Sequence, residues 1–242
     1  EPHTVLSFLA GFTSKIKLGF GVLVLPLRNP VVNAKRVTTL DVLSGGRVLF
    51  GVGVGWMQEE FEGVNVSFRE RGSLTDEHIE LFKVACVEDT LEYLGQHFQI
   101  RNKVFYPKPL QKPHPPIWVG GVTQSALRRV ARVGDGWLPN GLSLSDLKAS
   151  KLILYRLCEE NERSPDSVQI GNCFTVAYDV RTKADSLGRT VIGGSAEEII
   201  DNLSKFRDAG LDFALVSFPA SSTDAAFSSM SRFAEDIMPA KL

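Results

Sequence analysis

The chain has 242 residues, 43% of them hydrophobic and 23% charged, with a formal net charge of -1. That length suits one large domain or two small ones, and the near-neutral balance with scattered basic residues excludes a global field for nucleic acid or an acidic membrane surface. Three widely spaced cysteines, Cys86, Cys158 and Cys173, fit reduced thiols in a cytoplasmic protein; no CxxC or HxxxH spacing points to a metal, and no stretch approaches the roughly 20 apolar residues of a membrane span.

In chain order, Val5 to Phe12 reads as the end of a helix. Ile16 to Leu25 reads as a strand interrupted by Gly19 and Gly21, a mark of a bulge or close backbone approach. Asn29-Pro30 starts a helix that Ser44-Gly45-Gly46 stops. In the next strand, Arg47 to Trp56, glycines 51, 53 and 55 strip the side chains from one face. Either something flat or bulky lies against that backbone, or the strand lines a tapering barrel interior. Gln58 to Arg71 reads as a polar connection anchored by Phe61 and Phe68. A helix follows from about Thr75 with Ile79, Phe82 and Cys86 on its core face, then a loop with His97, Tyr106, Pro107 and Pro109.

Residues 113 to 140 form a complete unit of strand, glycine turn, helix and strand. Ile117 to Val119 is a short buried strand and Gly120-Gly121 the turn. Thr123 caps a helix with Leu127, Val130 and Ala131 inward and Arg128, Arg129 and Arg132 outward, and Gly134 ends it before a strand at Gly136 to Pro139. Backbone N-H groups at such a helix start favour an anion, so a phosphate fits there. Further on come a helix from about Ser145, a strand Val168 to Tyr178, and a capping box at Ser195 to Glu198 whose helix buries Ile199, Leu203 and Phe206. A strand Phe213 to Ser217 and a helix with Phe227, Met230, Phe233 and Ile237 on its apolar face complete the chain. The count is six strands of parallel type, each followed by a helix or room for one. The expectation is a single α/β domain of residues 1-242, a partial barrel lacking two units of roughly 30 residues each.

Together these stretches resemble the bacterial luciferase-like superfamily of flavin- and deazaflavin-dependent oxidoreductases. The resemblance rests on IKLGFGVLVLPLRNPV (16 to 31), TLDVLSGGRVLFGVGVGW (39 to 56), FRERG (68 to 72), PHPPIWVGG (113 to 121), ALRRVARVGDGWLP (126 to 139) and SFP (217 to 219). It implies a TIM (β/α)8 barrel of luciferase-like type with the first two βα units absent from this chain. It also implies a non-prolyl cis peptide at Gly21-Val22 behind the cofactor ring, ring contacts from Val54, Gly55 and Trp56, and a cofactor-tail site at Gly120, Gly121, Val122 and Thr123. Arg71 falls near an arginine that pairs with phosphate in some members, or is a solvated arginine. The family's acidic residue and histidine would precede Glu1, so no catalytic acid or base is assigned; His3, His78 and His97 read as surface residues and His114 as structural. Gly53 and Val54 stand where luciferases carry cysteine and arginine, which argues against luciferase chemistry. The segment Arg181 to Val191 is shorter than the family's.

By this resemblance the expected function is hydride transfer between coenzyme F420 and a small organic substrate, because GVGVGW and GDGWLP resemble the deazaflavin branch most. FMN-dependent monooxygenation is the alternative, and a non-catalytic flavin-binding or structural paralogue a third reading. A Rossmann NAD site is excluded because GVGVGW lacks the GxGxxG spacing. A cytoplasmic homodimer is expected, since an open barrel leaves two strand edges that a partner must cover, and no nucleic-acid or membrane partner.

Overall fold

The computed structural model describes residues 1-180, 184-185 and 188-240, which divide into two compact units, Glu1-Gly120 and Gly121-Leu242. In the first unit the order is α1 (Pro2-Phe12), β1 (Leu18-Gly19), β2 (Leu23-Val24), α2 (Pro30-Ser44), β3 (Val48-Gly53), α3 (Gln58-Gly63), α4 (Arg71-Val87), β4 (Thr90-Leu94), β5 (Gln99-Val104) and β6 (Ile117-Gly120). Strand β3 is the centre of its sheet: β1, β2 and β6 all pair with it in parallel, and its Val48, Phe50 and Val52 are fully buried. Asn29 caps α2 by accepting from Val31 N and Val32 N, and Gly45 ends it at φ +71, a left-handed geometry that glycine takes without penalty.

Two buried charged groups tie this unit together. The Arg47 guanidinium donates to the carbonyls of Ala10, Thr13, Ile16 and Ser44, which fixes the end of α1 against the start of β3. Asp41 accepts from the backbone N-H of Leu110 (2.8 Å) and Gln111 (3.0 Å), so α2 holds the chain that leads into β6. Each satisfies several backbone groups at once.

The second unit runs α5 (Gln124-Val133), β7 (Gly136-Leu138), α6 (Leu144-Glu160), β8 (Gln169-Tyr178), β9 (Val191-Gly194), α7 (Ala196-Asp208), β10 (Phe213-Ser217) and α8 (Thr223-Asp236). Here β8 is central, with β7, β9 and β10 parallel to it. The capping box forms as the sequence indicates: Glu198 N donates to Ser195 Oγ and Ser195 N to the Glu198 carboxylate, while Ile199, Leu203 and Phe206 are buried.

Several sequence expectations are corrected. The described residues hold ten strands rather than six. The glycine-broken strand is two short ones, β9 was not anticipated, and the loop after α4 contains an antiparallel hairpin of β4 and β5. The polar connection contains α3, and α4 starts at Arg71. Arg129 is buried at 7% exposure, unlike its outward-facing neighbour Arg128, because α5 is covered on more than its apolar stripe. His3 and His78 are buried, not surface residues: His3 Nε2 lies 3.0 Å from Asn33 Oδ1 and His78 packs under the hairpin. Phe227 and Met230 of α8 stay 62% and 51% exposed; the amphipathic pattern marked a face but not a cover for it. Of the short segment from Arg181 to Val191, residues 181-183 and 186-187 lie outside the described residues. No helix among the described residues is long and apolar enough to cross a membrane.

Candidate functional site

In the first unit the site residues gather where β1 breaks off and β2 begins. The Gly21-Val22 peptide between them is cis, as the resemblance implied. The bare face of β3 is not open, however. A Cβ on Gly51 would lie 1.7 Å from the Phe20 carbonyl oxygen, and one on Gly53 2.6 Å from Val22 Cγ2. What lies flat on the glycine face is the chain's own crossing from β1 to β2. Gly120 at the end of β6 serves the same packing, with its missing Cβ 3.1 Å from Val22 Cγ1. Three glycines therefore seat one valine, and they hold the 21-22 backbone outward: Gly21 is exposed and Val22 is 37% exposed.

Val22 lines a cavity of about 580 Å³ whose walls are mixed: Leu23, Leu27 and Val32 are apolar, and Arg28, Asn29, Asn33, Arg36 and Glu60 bring polar groups. Glu1 pairs with Arg28 at 2.6 Å. Asn33 is held by His3, whose pKa is lowered by burial against the opposing pull of Glu1. The sequence reading did not single out these polar residues. Their signal was present, since Arg28-Asn29-Pro30 starts a helix directly after a strand, but it was read only as helix punctuation. In the turn that follows β3, Val54 and Gly55 are half-buried and Trp56 is 79% exposed. Gly55 has φ +82, and a Cβ there would meet the Phe61 ring and Val24 Cγ1 at 2.8 Å, so this turn requires glycine twice over.

In the second unit, Gly121, Val122 and Thr123 are all exposed at the start of α5. Gly121 has φ +109, and its carbonyl accepts from the indole Nε1 of Trp137 at 2.8 Å. Trp137 is fully buried, so a rigid group on β7 sets the orientation of this turn. Thr123 Oγ1 accepts from Ala126 N, which caps the ten-residue helix; in its first turn Gln124 and Ser125 are exposed, and Ala126 and Leu127 are buried. These residues fit an anionic tail: an exposed glycine at positive φ and the positive end of a helix dipole. Arg71 does not stand free for a phosphate. Its Nη1 donates to the Phe68 carbonyl, and its guanidinium stacks 3.9 Å from the Phe68 ring centroid.

None of the three cysteines is a ready nucleophile. Burial pushes the Cys86 thiol up to about 12 and Cys173 to about 11, and raises Cys158 as well, so all three stay protonated at neutral pH. Among the described residues no group of three or more His, Cys, Asp or Glu stands together as a metal site. His114, half-buried, lies with Nδ1 3.0 Å from the Pro115 carbonyl, ahead of β6 rather than at its C-terminal end.

The luciferase-like monooxygenase family matches residues 1-185, and the chain belongs to that family. It is 29% identical over 215 residues to the FMNH(2)-dependent dimethylsulfone monooxygenase of Pseudomonas putida, an alignment covering 87% of this chain and 58% of that relative. The chain thus spans little more than half the length of that protein. Among solved structures it superposes on the monooxygenase RslO1 from Streptomyces bottropensis with a TM-score of 0.85 at 20% identity, covering 100% of this chain and 83% of that one. The coenzyme F420 dependent tetrahydromethanopterin reductase from Methanopyrus kandleri gives 0.83 at 18% identity, covering 98% and 86%. The fold is therefore the α/β fold of the luciferase-like TIM barrels.

Proposed function

We propose that the chain is part of an oxidoreductase that transfers a hydride between coenzyme F420 and a small organic substrate. The observation that carries the reading is the seating of Val22: Gly51, Gly53 and Gly120 pack the chain's own crossing, and Val22 lines a cavity that Arg28, Asn29, Asn33, Arg36 and Glu60 also line. In this reading Gly21 and Val22 support the cofactor ring, with Val54, Gly55 and Trp56 at its edge. In the second unit, taken by itself, Gly121, Val122 and Thr123 offer N-H groups to a phosphate. When bound, the cofactor supplies the redox chemistry, and the protein supplies position, exclusion of water and electrostatics. Arg28, Arg36, Asn29 and Asn33 place donors around the cavity, so a substrate oxygen would find hydrogen bonds there.

The choice of deazaflavin rests on GVGVGW at 51 to 56 and GDGWLP at 134 to 139, which resemble that branch. A second reading, FMN-dependent monooxygenation, is favoured by the Pseudomonas putida relative, whose name carries FMNH(2) dependence. Titrating the purified protein with F420 and with FMN, followed by the visible absorbance and fluorescence of each, separates the two. Tighter binding of F420 supports the first reading and tighter binding of FMN the second; binding of neither overturns both.

A further inference from the structure

Away from the cofactor region, the hairpin of β4 and β5 is fastened to α4 through its turn. The Glu77 carboxylate accepts from the backbone N-H groups of Gln96 at 2.7 Å, His97 at 3.0 Å and Phe98 at 3.0 Å. Ser73 Oγ lies 2.9 Å from His97 Nε2, and the Tyr93 hydroxyl donates to Glu80 at 2.9 Å. The next residue after Glu77 is His78, 3% exposed, and neither of its ring nitrogens has a hydrogen-bond partner among the described residues. Its ring meets the Phe98 ring edge-on, with centroids 5.0 Å apart and planes at 79°.

A neutral imidazole tolerates such a place at modest cost. An imidazolium does not, because both nitrogens become donors with no acceptor and the charge loses its water. Of the titratable groups on the elements packed here, among them Glu77 and Glu80 on α4, Asp41 on α2 and His97 on the hairpin, only Glu77 acts on the ring by charge. It favours the protonated form, but its oxygens are already engaged by three N-H groups, and burial outweighs it. Asp41 is committed to Leu110 and Gln111, and Glu80 to Tyr93.

We propose that protonation of His78 releases the β4-β5 hairpin from α4, which makes the hairpin an acid-sensitive element of the fold. Burial lowers the His78 pKa from 6.5 to about 4 in the closed form. An opened form, with the ring in water, binds more protons between those values. The latch therefore holds fully above about pH 6.5 and weakens as the pH falls toward about 4, the opening equilibrium rising by up to about tenfold per pH unit.

The test is amide hydrogen exchange across residues 90 to 104 between pH 4 and 7, corrected for intrinsic rates, in the wild type and in His78→Phe. The wild type should lose protection as the pH falls, and His78→Phe, which keeps a ring against Phe98, should lose most of that dependence. An equal pH dependence in both proteins overturns the proposal. A second readout needs no variant: the His78 ring followed by NMR in the wild type. Protonation well below pH 6.5 together with loss of hairpin protection supports the latch. Protonation near pH 6.5 with the hairpin amides still protected refutes it.

Discussion

Glycines do opposite work in the two units. In the first, Gly51, Gly53 and Gly120 are buried, and the space where their side chains would be is filled by Phe20 and Val22 of the same chain. In the second, Gly121 is exposed, held at positive φ with its carbonyl fastened by Trp137, and what its backbone faces is solvent. The first arrangement is internal packing and the second is presentation of backbone. Substitutions in the first should therefore damage the fold, and substitutions in the second should damage binding.

The largest effect is expected at Gly51. A methyl group there would sit 1.7 Å from a backbone oxygen that no rotamer change can move, so Gly51→Ala should cost about 3 kcal/mol or more in chemical denaturation. A milder result would mean that the crossing from β1 to β2 shifts easily, and the contrast between the units would weaken. Gly53→Ala should cost less, about 1-2 kcal/mol, because its obstacle is a valine methyl that can rotate. Gly121→Ala should leave the fold in place, with about 1-2 kcal/mol lost to positive-φ strain and to a Cβ 3.0 Å from Ala126 Cβ, yet weaken cofactor binding about tenfold or more. The smallest stability effect belongs to Trp56→Ala. With the side chain 79% exposed, stability should stay within about 0.5 kcal/mol while cofactor affinity falls, which denaturation and titration on one sample would show.

What the sequence made legible follows the same division between local and distant causes. The helix starts at Asn29 and Ser195, the buried strands β3 and β6, and the cap at Thr123 depend on neighbours a few residues away, and all appear where the pattern put them. The cis bond at Gly21-Val22 was legible only through the family resemblance. The β4-β5 hairpin was read as loop because its strands are solvated and mostly polar, and because its turn is held by Glu77, about 20 residues earlier in the chain. The burial of His3, His78 and Arg129 likewise depends on which elements fold over them, and residue type gives no sign of it. The glycine alternation in β3 was recognised as a bare face, but sequence could not show that the chain itself fills it.

The central claim, that the Gly121 turn presents backbone to a bound anion, is tested most directly by one set of titrations. F420, and then FMN, is titrated into the wild type, Gly121→Ala and Gly45→Ala. Gly45 also has positive φ, but a Cβ there meets nothing within 4 Å, so its variant reports left-handed strain alone. The account predicts that Gly45→Ala binds as the wild type does and that Gly121→Ala binds about tenfold more weakly or worse. Equal affinity in all three proteins would contradict it.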